Sequence, residues 1–171
     1  CKELCKLLNL ERAAIFQFNE DWSGEFISHF GTVESQWEST NPFGKNLVWE
    51  DSHLQETKGG RYRNNESFAV NDIYKAGHAR CHIDILEQFK IRAYALVPIF
   101  IGPKLWGLLA AYQHSSPRHW LDYEVEFLTQ VGGQLGVAIQ QSEFLQQSKQ
   151  QSIALEKSIA RQRTLTDVVT K

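Results

Sequence analysis

Three side chains in one short run, His78, Cys81 and His82, offer chemistry by their types and spacing. Ile83, Leu86 and Phe89 recur at helical spacing, which predicts a helix with Cys81 and His82 at its entry. Free backbone N–H groups and the helix dipole at such an entry lower a thiol pKa and favour the nucleophilic thiolate. The same pair also has a plain reading: a lone cysteine in a reduced protein is often a small buried hydrophobe, and a lone histidine beside it is usually structural. Covalent haem attachment needs a second cysteine three residues upstream of Cys81, and that position is His78, so the spacing excludes it. A zinc site built from His78, Cys81 and His82 has poor helical geometry and no evident fourth ligand.

The elements that must position this run are legible around it. Leu4, Leu7 and Leu8 predict a short amphipathic helix over 1–10. The runs 13–19 and 25–31 are aromatic-rich and separated by a polar turn with Gly24, a hairpin pattern. From Glu34 to Asn65 periodicity is weak, and the expectation is that most of it is loop with short helical pieces; loops that long usually have a function. Phe68–Val70 reads as an edge strand. The runs 92–101 and 105–113, joined by Gly102-Pro103-Lys104, predict a hairpin of buried central strands. Together these give an α+β domain, a central antiparallel β-sheet flanked by helices.

From Leu121 onward proline is absent, and glycine is absent after Gly136, which predicts one long helix. Leu128, Val131, Leu135, Ala138, Ser142 and Leu145 are spaced by three and four, as along a coiled-coil seam. A helix of about 50 residues is roughly 75 Å long, so its distal half outlasts a small domain and calls for a partner helix. The division expected is a domain over 1–145 and a distal signalling helix or linker over 146–171.

Composition bounds the function classes. The chain of 171 residues, 42% apolar and 22% charged, suits one ordinary globular domain with an appendage. A formal net charge of -2 and the lack of a dense Lys/Arg stripe argue against nucleic acid. Apolar runs near 94–101 and 105–112 are too short to span a bilayer. Cys1, Cys5 and Cys81 form no even disulfide framework, so a reducing, cytoplasmic setting is expected. The chain opens without Met inside an apparent helix and stops inside another, which suggests a segment of a longer polypeptide.

Several blocks in order, Trp49-Glu50-Asp51-Ser52-His53-Leu54-Gln55-Glu56, Gly59-Gly60-Arg61-Tyr62, Asn71-Asp72-Ile73-Tyr74, Gly77-His78-Ala79-Arg80-Cys81-His82 and Leu105-Trp106-Gly107-Leu108-Leu109-Ala110-Ala111-Tyr112-Gln113, resemble the GAF domains of red/green cyanobacteriochromes. These are bilin-binding photoreceptors of the phytochrome superfamily. The resemblance implies that Cys81 carries phycocyanobilin, a linear tetrapyrrole, as a thioether, with biliverdin as another possible chromophore. It implies that Asp51 accepts hydrogen bonds from pyrrole N–H groups of the protonated chromophore and that Arg61 pairs with a propionate through its planar fork, with Arg63 the nearby rival. It implies that His82 packs on the tetrapyrrole, that Trp49 lies against the D ring, and that His53, Tyr62 and Tyr112 are further pocket contacts. Whether Tyr112 points into the pocket depends on a one-residue register. The implied photocycle is a Z/E isomerisation between a red-absorbing dark state and a green-absorbing photoproduct.

Two other classes remain open on the residues alone: a GAF domain sensing a small molecule without covalent attachment, and a thiol enzyme using Cys81. The first leaves Cys81-His82 unexplained, and the second usually needs a resolving cysteine nearby. With no phosphotransfer histidine box or nucleotide-binding glycine loop, the chain reads as an input module rather than an enzyme. Its output belongs to domains of the same parent chain, a histidine kinase or phototaxis transducer that pairs as a homodimer through the C-terminal helix. A membrane anchor elsewhere in the parent is compatible with this reading, and no direct membrane contact is expected of this segment.

Overall fold

Two apolar runs that turn at Gly102 and Pro103 form the middle of the sheet. The computed structural model describes residues 1–18, 25–32, 48–50 and 52–169. Strands β1 (Arg12–Phe18), β2 (Glu25–Thr32), β3 (Val48–Glu50), β4 (Phe68–Val70), β5 (Ala93–Ile101) and β6 (Lys104–Gln113) make one antiparallel sheet in the order β3-β2-β1-β6-β5-β4. Helices α1 (Lys2–Leu8), α2 (Ser52–Thr57), α3 (Arg80–Gln88) and α4 (Asp122–Val169) complete it, with a 3-10 turn over Gly60–Asn64. The fold is therefore α+β, as the strand and helix patterns predict.

The two hairpins follow the sequence expectation. Gly102 takes φ +56 at the first position of the two-residue β5–β6 connection, a left-handed conformation that glycine adopts without steric cost. Pro98 of β5 lies beyond the β4 pairing, which reaches Tyr94–Leu96, so its missing N–H interrupts no β4 bond. One expectation is corrected. Val48–Glu50 is a strand inside the run read as loop with helical pieces, and it pairs with Glu25–Ile27 of β2. Three residues carry too little periodicity to announce a strand, and their partner lies more than twenty residues upstream.

Strand alternation gives the sheet two faces. Ala14 of β1, Ala110 and Tyr112 of β6 and Tyr94 of β5 form a cluster with Leu86 of α3, Leu108 of β6 belongs to a second cluster with Phe18 and Tyr62, and Phe16 and Leu96 pack against both. Val97 lies on the other face, where Gly132 of α4 meets its side chain. Leu128 is fully buried there, whereas Leu145, further along the same expected seam, is exposed. Backbone contacts divide the chain into Cys1–Gly136 and Val137–Lys171. The second unit is helical and exposes Phe144, Leu145, Ile153, Leu155 and Ile159.

Candidate functional site

Phe16, Leu96 and Leu108 on the sheet and Leu86 on α3 wall a cavity of about 310 Å³ with a mainly apolar interior. That is within the size range of sites for small organic ligands. Leu54 of α2 closes part of it, and the chain after α2 turns back through Lys58 and Gly59, both at positive φ, with Gly59 N–H donating to the Leu54 carbonyl at 2.8 Å. That turn delivers Arg61 and Tyr62 to the rim. Arg61 places its guanidinium 4.0 Å from the centre of the Phe68 ring, a cation–π contact that leaves its N–H fork available to an anion.

A network of ion pairs holds α3 and the segment before it. Arg92 pairs with the buried Asp72 at 3.2 Å and lies 4.4 Å from the Tyr74 ring centre. The Tyr74 hydroxyl donates to Glu87 at 2.8 Å, and Arg80 pairs with Asp84 at 2.9 Å. The Tyr74–Glu87 bond ties the segment before α3 to the last turn of the helix. In the first turn of α3, Cys81 is exposed with a free thiol, and His82 lines the cavity.

The sequence-expected residues divide as follows. Arg61, Tyr62, His82 and Tyr112 come together around the cavity. The β5–β6 register opposes Tyr94 to Tyr112 and turns both inward. Cys81, exposed in the first turn of α3, precedes His82 in sequence and is not among the residues lining the cavity. Asp51 lies outside the described residues; Trp49 in β3 and His53 in α2 are described in backbone alone. Arg63 lies away from this cavity, in a separate groove with Asn65 and Phe100.

Two side chains of the site, Tyr112 and His78, have contacts that the sequence does not announce. Burial pushes the Tyr112 phenol up to about 12, and the buried guanidinium of Arg12, 5.6 Å from its ring centre, acts in the opposite direction. His78 lines the cavity, hydrogen-bonds the Tyr94 hydroxyl at 3.1 Å and stacks on His82 with ring centres 4.7 Å apart. Burial, and then the neighbouring charge of His82, lower its pKa. Among the described residues no group of three His, Cys, Asp or Glu side chains is placed to hold a metal ion. An apolar slot with a guanidinium, imidazoles and phenols at its polar positions suits a largely apolar ligand that carries an anionic group.

Comparison with known proteins gives the family. A GAF domain model matches residues 1–139. The chain is 33% identical over 158 residues to the circadian input-output histidine kinase CikA of Thermosynechococcus vestitus, which covers 90% of the chain and 21% of that kinase. Over 152 residues it is 32% identical to a methyl-accepting chemotaxis protein homologue of Synechocystis sp., 86% of the chain and 14% of that protein. It thus spans a minor part of either relative.

Among solved structures, it is similar to a red/green cyanobacteriochrome in its red-light-absorbing state, at 49% identity and TM-score 0.73, over 85% of this chain and 92% of that one. A far-red-absorbing dark state with bound biliverdin IXα matches at 39% identity and TM-score 0.67, over 82% and 85%. The blue-light-absorbing form of the PixJ GAF domain of Thermosynechococcus elongatus matches at 28% identity and TM-score 0.71, over 85% and 83%. With 139 of its 171 residues under the family model, the chain belongs to the GAF domain family, and its structural likeness is to the GAF domains of cyanobacteriochromes.

Proposed function

We propose that this chain is a photosensory input module that holds a linear tetrapyrrole covalently through Cys81 and switches reversibly between red- and green-absorbing states. The observation that carries the reading is the first turn of α3, where an exposed thiol adjoins an imidazole lining an apolar cavity. When bound, the bilin supplies light absorption and a Z/E isomerisation that changes what its terminal ring touches. The protein's own residues bind and orient it. Cys81 anchors it through a sulfur–carbon bond, Arg61 holds a propionate with its planar fork, and Asp51 accepts pyrrole N–H bonds. Trp49, His53, Tyr62, His82 and Tyr112 are the remaining contacts in this reading.

The red/green assignment is supported by the 49% identity to a red/green cyanobacteriochrome against 28% to the blue-absorbing PixJ domain. It is also supported by the cysteines: Cys81 is the sequence neighbour of His82, which lines the cavity, whereas Cys1 and Cys5 flank or lie in α1, with Cys5 buried. Phycocyanobilin is the chromophore proposed, with biliverdin the alternative, as in a 39% identical structure that carries it. Output lies in a cytoplasmic part of a parent histidine kinase or phototaxis transducer. The segment 146–171 acts as the transmission rod, pairing with a second copy through apolar residues such as Leu155 and Ile159, which are exposed. No described helix is long and apolar enough to cross a membrane.

Co-expression with a phycocyanobilin-producing pathway tests the reading. A coloured protein whose spectrum alternates under red and green light supports it. A colourless product points instead to a GAF domain that senses another small molecule or to a thiol enzyme.

A further inference from the structure

Side chains in the first turn of a helix at a cavity rim turn freely unless something packs them. His82 is exposed, and the ring contact the structure gives it is with His78, at 4.7 Å between centres and 30° between planes. His78 lies outside α3, two residues before its first helical residue and immediately after Gly77, which sits at φ +72. A residue in that backbone setting needs an anchor of its own. It has one in Tyr94, whose hydroxyl is 3.1 Å from Nε2 and whose ring is nearly parallel, at 13° and 6.1 Å. The Phe68 ring adds an edge contact at 6.5 Å. Tyr94 is buried in β5 and paired with Val70 of β4 on one side and Tyr112 of β6 on the other, so its backbone is held on both edges.

We infer that His78 is a positioning residue: held at Nε2 by the Tyr94 hydroxyl, it presents its ring face to His82 and fixes the orientation of His82 toward the cavity. The inference rests on the bilin-binding reading above. Its chain of contacts runs sheet, phenol, imidazole, imidazole, ligand. Burial disfavours a charge on His78, and so does a proton on His82. In the tautomer that carries its hydrogen on Nδ1, the neutral His78 ring accepts a hydrogen bond from the Tyr94 hydroxyl at Nε2. Losing a single neutral hydrogen bond changes a rotamer ratio about fivefold, enough to populate a second orientation of His82 beside the chromophore.

The test uses ¹⁵N-histidine-labelled holoprotein made by co-expression with phycocyanobilin synthesis, measured on the chromophore-bearing fraction. Tyr94→Phe removes one oxygen and leaves the ring; His78→Phe keeps a flat ring and removes the hydrogen bond. Expected are a second set of His82 imidazole signals, raised about fivefold over wild type, and a shifted dark-state absorption band in both variants. The double variant is expected to add nothing further, because each change breaks the same link. His82 signals and a band that coincide with wild type in both variants would overturn the inference. If His78→Phe fails to fold, Tyr94→Phe decides alone. Wild-type protein that takes up no bilin overturns the underlying reading instead, and is seen before any variant is made.

Discussion

Gly136 of α4 lies against Phe100 of β5 so closely that a Cβ on the glycine would stand 2.0 Å from the Phe100 carbonyl oxygen. Gly132, one turn earlier, would meet the Pro98 carbonyl at 2.9 Å. Helix backbone and strand backbone are in direct contact there, which only residues without a side chain allow. Gly136→Ala must push α4 away from the sheet and is expected to cost about 1–3 kcal/mol. Gly133, with nothing within 4 Å of its added Cβ, is the control: Gly133→Ala is expected to stabilise by about 0.5–1 kcal/mol through helix propensity. Urea unfolding of the two variants checks both signs.

A second prediction concerns the start of α4. Arg118 donates to the Leu8 and Asn9 carbonyls that end α1, at 2.6 and 3.0 Å, and pairs with Glu124 at 2.7 Å. The other Glu124 oxygen accepts the Leu121 N–H at 3.0 Å, capping the helix. Both partners are largely buried, so removing one leaves a charge without its counterpart. Glu124→Ala is expected to lower unfolding free energy by about 3 kcal/mol, and Glu124→Gln by less, because an amide oxygen still accepts the cap bond.

Acid should destabilise the domain in two stages. Burial, joined by the charge of Arg12, lowers the His114 pKa below 6.5, against hydrogen bonds to the Lys90 and Phe89 carbonyls and the charge of Glu11, which raise it. Burial pushes Glu11 up, but bonds from Ser115 and His114 outweigh it and leave that carboxyl below 4.5. In each case the unfolded chain takes the proton first. Stability is therefore complete above 6.5, falls as His114 protonates in the unfolded state, and falls again below 4.5. Urea midpoints between about pH 4 and 8 are expected to show this slope, and His114→Gln to flatten its upper stage.

Arg61 offers a test of the rim. It is exposed and packed on Phe68, so its contribution to holding a carboxylate is modest, about 1 kcal/mol. Arg61→Leu is expected to reduce bilin uptake from limiting chromophore about fivefold, with Arg61→Lys in between because it keeps the charge and loses the fork. Titration of apoprotein with phycocyanobilin, read by absorbance, checks the order.

Elements whose signal is local were legible in the sequence. The β5–β6 hairpin is written in its Gly-Pro turn, α4 in the absence of breakers beyond Gly136, and α3 in Ile83, Leu86 and Phe89. Three features depend on distant partners and are not written locally. Strand β3 exists because β2 offers it an edge. The inward direction of Tyr94 and Tyr112 follows from a register fixed by the whole sheet. His78 gains its meaning from a phenol sixteen residues away. The face that α4 turns to the sheet runs through Leu128, Gly132 and Gly136, not along the expected seam through Val131 and Leu135, because the surface the two glycines meet is a strand backbone far upstream.

The most direct test of covalent attachment at Cys81 is the mass of the tryptic peptide Cys81–Lys90, released by cleavage after Arg80 and Lys90, from protein co-expressed with phycocyanobilin synthesis and denatured before digestion. The account predicts that this peptide carries the mass of one bilin and that Cys81→Ala protein, folded as the wild type is, carries none. A bare Cys81–Lys90 peptide from coloured protein, or bilin found on Cys1 or Cys5 instead, would contradict it.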